Sequence, residues 1–315
     1  MLRRLAFAIA TLFLLGSAPA LATTCSAAAG TCFWIGGTGT LDMSTDSAHW
    51  ASSTGAGSCS CEPSGTASLT FDGASGGGTV TVNANFVTTG AFTMSAFTGT
   101  LDFSANNNSP TIGNMSNGGS GTRTLNLGSG TWTMTNGTNP WTQVGATNLT
   151  FSAASATLVF SGITAGSYRA ISFHNAAGTG NSAYTIGTIT INAATTGNGA
   201  SFSTSAAFTV TNLNIGVPNQ IGFSSGGAIT VTNAVTITGA SPGTVLLYAN
   251  NPNANQATIT SANNWTVSWA GIRGLVFTGG GSLTATNSVD YGNNGAGISI
   301  TPPSFSGGGG GIIGG

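Results

Sequence analysis

Four cysteines, Cys25, Cys32, Cys59 and Cys61, form the densest group of reactive side chains in this chain and fall close together near its start. An even number of thiols just behind an export-type leader predicts two disulfides. One residue separates Cys59 from Cys61, which argues against a bond between them. Each is therefore expected to reach back to Cys25 or Cys32, with the choice between the two pairings open. Zinc is the rival chemistry, but intervals of six, twenty-six and one residues match no familiar zinc module.

Six acidic residues and two histidines complete the reactive inventory. Asp42, Asp46, Glu62 and Asp72 lie near the cysteines, Asp102 sits in a strand-like run, and Asp290 lies far along the chain. Hydrolysis of a glycosidic bond needs two carboxylates flanking it, and solenoid enzymes set such acids on successive coils. From Phe103 to Val289 this chain has no Asp or Glu. The same gap excludes stacked Gly-Gly-x-Gly-x-Asp calcium turns. His174 has no acid near it in sequence, and His49, close to Asp46, reads as a local hydrogen bond. No catalytic, cofactor-binding or metal-binding residue is assigned, and the chain is expected not to be an enzyme. A polysaccharide-degrading, tail-spike-like enzyme is the alternative that a pair of carboxylates in one groove would revive.

The elements that must carry these residues announce themselves by repetition. A polar-apolar-polar-apolar quartet returns roughly every 22 residues. Its copies include Thr79-Val80-Thr81-Val82, Thr100-Leu101-Asp102-Phe103, Thr124-Leu125-Asn126-Leu127, Ala170-Ile171-Ser172-Phe173, Thr188-Ile189-Thr190-Ile191 and Asn212-Leu213-Asn214-Ile215, with weaker copies to Gly297-Ile298-Ser299-Ile300. Alternation with period two is a half-buried strand, and a fixed return distance is the mark of stacked repeats. The fold expected is all-β: a single-domain parallel β-helix of about ten coils, right-handed by the general chirality of parallel crossovers.

The ends read differently. Met1-Leu2-Arg3-Arg4, the apolar run Leu5 to Leu15 and the small residues Ser17 to Ala22 describe a signal peptide over 1–22, cut after Ala22. Residues 23–64 form a disulfide-linked N-terminal cap, 65–300 the solenoid and 301–315 a Gly-rich flexible tail after Pro302-Pro303. Any membrane contact would be through the leader alone.

Only 3% of residues are charged, and there is no Lys. Arg123, Arg169 and Arg273 are the basic residues beyond the leader, too few for the positive stripe that phosphate recognition needs, so nucleic acid is excluded as a partner. Partners are expected to be a surface glycan or other copies of the chain. Trp265 and Trp269, which share a face if their segment is extended, are the candidate glycan contacts. An ice-binding solenoid is a further alternative, because Thr188/Thr190, Thr236/Thr238 and Thr258/Thr260 would lie on one side of the stack.

Phe33-Trp34-Ile35-Gly36-Gly37-Thr38-Gly39-Thr40, then His49-Trp50, Pro63 and Thr70-Phe71-Asp72-Gly73 resemble a module of exported bacterial β-solenoid proteins and autotransporter-like passengers. It also resembles a module of tail-fibre-like proteins encoded by phages; Leu41 stands where the pattern has a second Trp. Leu125 to Thr133, Asp290 to Asn294 and the glycines Gly307 to Gly311 resemble the phage-associated group. The resemblance implies a structural or adhesive role, secreted or displayed on a cell or virion surface, and transfers no active site.

Overall fold

The computed structural model describes residues 23–25, 30–41, 47–136, 139–143, 148–162, 169–173, 184–192, 199–203, 208–225, 228–240, 244–253 and 255–304. The leader, the tail beyond 304, Asp42, Asp46 and His174 lie outside the described residues.

Inward-facing apolar residues two apart cannot be buried by one strand alone, so each coil lays its strands on those of the coil before it. The result is a parallel solenoid. Two sheets of twelve strands run its length, and a four-stranded sheet joins them later in the chain. Ten strands follow one another along the first long sheet, from Gly39–Leu41 through Thr79–Val82 and Leu149–Phe160 to Leu275–Thr278, in keeping with about ten coils. The second long sheet runs from Trp50–Ala51 and Thr31–Trp34 to Ala270–Arg273 and Val289–Asp290. The short sheet holds Val235–Thr238, Trp265–Ser268, Leu283–Thr286 and Ile298–Ile300.

Register is set by the core, because a slip of one residue would turn every inward side chain to water. On the second long sheet one buried column runs Cys32, Leu69, Phe92, Met115, Trp141, Ile171, Phe202. On the first, Val80, Leu101, Leu125 and Phe151 stack likewise. Strands about 4.8 Å apart bring like side chains into contact from coil to coil. Phe71 stacks on Phe92 at 5.4 Å, and Trp132 meets Phe103 edge-on at 4.4 Å. Each such side chain taken from water is worth about 1.5–3 kcal/mol.

The quartets do not occupy one face, as a single ladder would require. Arg169–Ser172 belongs to the second long sheet, while Thr185–Ile191 and Phe208–Ile215 belong to the first and Val235–Thr238 to the short one. A coil has two or three strands of the same alternating pattern, and the pattern does not say which face a strand joins.

Candidate functional site

The N-terminal cap is the first coil of the stack. Thr31–Trp34 pairs with Ser68–Phe71, and Gly39–Leu41 with Thr79–Val82, both parallel. Trp50–Ala51 then closes the outer edge antiparallel to Thr31–Trp34. An aromatic cluster plugs the end: Trp34 stacks on His49 at 5.1 Å and on Phe71 at 5.8 Å, with Trp50 edge-on at 5.4 Å. Gly36 allows this, since a Cβ there would lie 2.5 Å from His49 Cδ2 and 2.8 Å from Trp34 Cζ2. His49 thus has a packing role beside Trp34.

All four cysteines meet in this cap. Thr23–Thr24 pairs with Cys61–Glu62 and Cys25 N donates to Glu62 O at 3.0 Å, which brings Cys25 to Cys61. The Sγ atoms of Cys25, Cys59 and Cys61 lie within 4.8 Å of one another. The bond present joins Cys59 to Cys61, and Cys25 and Cys32 are buried thiols. This corrects the expectation that Cys59 and Cys61 do not pair. Ser60 takes a left-handed φ of 49°, folding the chain so that the flanking Cα atoms are 5.1 Å apart. Cys25 and Cys32 share a hydrogen bond, which holds the Cys25 thiol below its ordinary pKa and, with burial, pushes Cys32 far up.

The described aspartates are held in local structure. Asp72 caps a short 3-10 turn, accepting from Ala74 N at 2.9 Å while Ser75 Oγ accepts from Asp72 N at 2.8 Å, and Thr54 Oγ1 also donates to it. Asp102 Oδ1 accepts from Ser104 Oγ at 2.6 Å and Asn126 Nδ2 at 3.1 Å. Asp290 Oδ1 accepts from Gly292 N and Asn294 Nδ2, both at 2.7 Å.

The arginine at 123 is buried, 2% exposed, which the sequence did not signal. Its Nε donates to Asn117 Oδ1 at 3.0 Å, and its terminal nitrogens to the carbonyls of Asn117, Gly118, Gly119 and Gly121 at 2.8–3.1 Å. One guanidinium therefore closes the 117–121 turn. Burial lowers its pKa, partly offset by Tyr184, whose own hydroxyl is pushed above its ordinary value by burial.

The tryptophan pair expected to meet a glycan is not exposed as a pair. Trp265 is fully buried and packs edge-on against Phe277 at 5.6 Å. The strand ends at Ser268, and Trp269, at a left-handed φ of 55°, is half-buried in the bend. The threonines separate too. Thr188/Thr190 and Thr258/Thr260 are on the first long sheet, where Asn212 and Asn214 donate to Thr188 and Thr190 at 3.3 Å, and Thr236/Thr238 is on the short sheet. There the outward rows run Thr236, Thr266, Thr284, Ser299 and Thr238, Ser268, Thr286, seven hydroxyls in register.

One concave surface emerges that sequence patterning gave no signal for: an open groove of about 350 Å³ on the second long sheet, lined by Gln220, Leu246, Arg273 and Tyr291. No described helix is long and apolar enough to cross a membrane. No family model, curated protein or solved structure matches the chain.

Proposed function

We propose that this chain is a non-enzymatic, extracellular structural or adhesin-like β-solenoid displayed on a cell or virion surface. The observation that carries the reading is an exterior whose outward strand positions run as stacked Ser, Thr and Asn over a continuous apolar core. Examples are Thr79, Thr100, Thr124, Thr150 and Thr70, Thr93, Ser116, Thr142. Such a rod keeps its surface hydrated without charge and offers a long polar side for contact. Acid-free coils from Phe103 to Val289 and described aspartates engaged in turns support a non-catalytic role. The resemblance of the 33–73 segment to exported bacterial and phage-encoded solenoids points the same way.

The test combines protease accessibility on intact cells or virions with sequencing of the mature N-terminus and a reducing-sugar assay on polysaccharides. Surface exposure and a start at Thr23 without sugar release is the expected result. A cytoplasmic chain, or steady release of reducing ends, overturns it.

A second reading, ice binding, draws on the short sheet. Its seven hydroxyls stand on a grid of about 4.8 Å across strands and about 6.6 Å along them, and β-branching restricts χ1 in the five that are Thr. The expected result is inhibition of ice recrystallisation by the wild type and loss of it in Thr266→Lys with Thr284→Lys. Equal inhibition by both proteins, or none by either, removes this reading.

A further inference from the structure

The groove on the second long sheet is built around a glycine. Gln220, Leu246 and Gly271 are outward neighbours on adjacent strands, as are Tyr248 and Arg273 one step along. A Cβ at Gly271 would lie 2.3 Å from Tyr291 Cε2 and 2.8 Å from Cδ2. The Tyr291 ring therefore rests on bare backbone. Glycine within a strand weakens it and marks a close approach, and here the approaching group is this ring. Tyr291 is nevertheless 53% exposed, one of three large exposed hydrophobic side chains among the described residues. With one side held against the sheet and the other open to water, the ring is a platform for the C–H face of a pyranose.

Beside this platform stands Arg273, whose Nη2 donates to Asn253 Oδ1 at 3.1 Å, steadying the guanidinium at the groove wall. Among the described residues no ion pair joins it to a carboxylate; Asp290 turns its Oδ1 into its own loop. A guanidinium presents its N–H groups in a fork that matches a carboxylate two-to-two. Gln220 adds an amide that can both donate to and accept from sugar hydroxyls. A flat aromatic, a steadied positive fork and an amide around one open groove call for a ligand with a sugar ring and a negative charge.

We propose that this groove binds a carboxylate-bearing saccharide of the uronic acid type, the ring stacked on Tyr291 and the carboxylate paired with Arg273. The proposal rests on the adhesive reading above and names its ligand class.

The test is affinity electrophoresis of the full chain in gels containing polygalacturonate, or neutral dextran as the comparison, alongside adhesion of the labelled protein to polysaccharide-coated surfaces. The expected result is retardation by polygalacturonate alone. Retardation weakens at least tenfold in Tyr291→Ala and Arg273→Gln and persists in Tyr291→Phe. Gly271→Ala, which leaves the groove's polar groups in place but lifts the ring, is expected to weaken it as well. Circular dichroism and thermal unfolding establish that each variant is folded. Equal retardation of wild type and variants overturns the site, while adhesion of all of them leaves the broader reading standing. Equal retardation by dextran overturns the carboxylate assignment. No retardation by either polymer overturns the proposal, and if adhesion is also absent, the adhesive reading falls with it.

Discussion

Replacing Arg123 with Met keeps most of the buried stem and removes every donor. Its hydrogen bonds to Asn117 Oδ1 and Asn117 O are buried, and those to the carbonyls of Gly118, Gly119 and Gly121 are partly buried. A buried acceptor left unmade costs about 1–3 kcal/mol, and a partly buried one less because water reaches it. Relief of the desolvated charge returns part of this, since burial already disfavours the charged guanidinium. The net expectation is a loss of about 3–5 kcal/mol, concentrated in the 117–121 turn and the strands stacked on it. A solenoid spreads such damage little beyond neighbouring coils, so the assay is amide hydrogen exchange read residue by residue. Protection across the 117–124 region should fall roughly a hundred- to four-thousand-fold, at one tenfold step per 1.4 kcal/mol. Coils near Trp265 should keep theirs. A fall of less than about tenfold, or an equal fall along the whole rod, would refute the idea that this side chain organises the turn.

Cys25 and Cys32, side by side beside the Cys59–Cys61 bond, are expected to close a second disulfide when an oxidant such as oxidised glutathione accepts their two electrons and two protons. Peptide mapping without reduction checks this, and a crossed bond between either of them and Cys59 or Cys61 would contradict the pairing described. Tyr184 supplies a pH dependence: its folded pKa is raised, so the fold retains a proton that the unfolded chain releases above about pH 10. Its contribution is whole below that pH and is lost as pH rises through the folded value. Alkaline unfolding should therefore move to higher pH in Tyr184→Phe, and an unchanged midpoint would dismiss the role.

The β-solenoid was legible in the chain because its core repeats: Val80, Leu101 and Leu125 recur at the same place in successive quartets and end up stacked. What period two cannot carry is the face a strand joins. Thr188 and Thr236 occupy identical local patterns, yet one lies on a long sheet and the other on the short one. Trp265 and Trp269 fail as a pair for a related reason, since one left-handed residue ends the alternation that placed them together. Arg123 looks like any polar strand residue until the turn folds over it. The Tyr291 groove is assembled from four segments far apart in sequence, so no local spacing announces it. The cysteine pairing turned on Ser60, whose backbone conformation a residue name does not reveal.

The antiparallel closure by Trp50–Ala51 makes the two ends of the second long sheet unlike. Parallel strand edges recruit any matching strand, and a nascent solenoid carries such an edge for as long as it is incomplete. Here the reversed strand covers the outer edge of the second long sheet, while Gly39–Leu41 is the outermost described strand of the first. At its other end the second long sheet finishes in the two-residue strand Val289–Asp290, with no reversed strand beyond it among the described residues. The two ends of that sheet thus differ in kind, one covered by a reversed strand and the other presenting a parallel edge only two residues long.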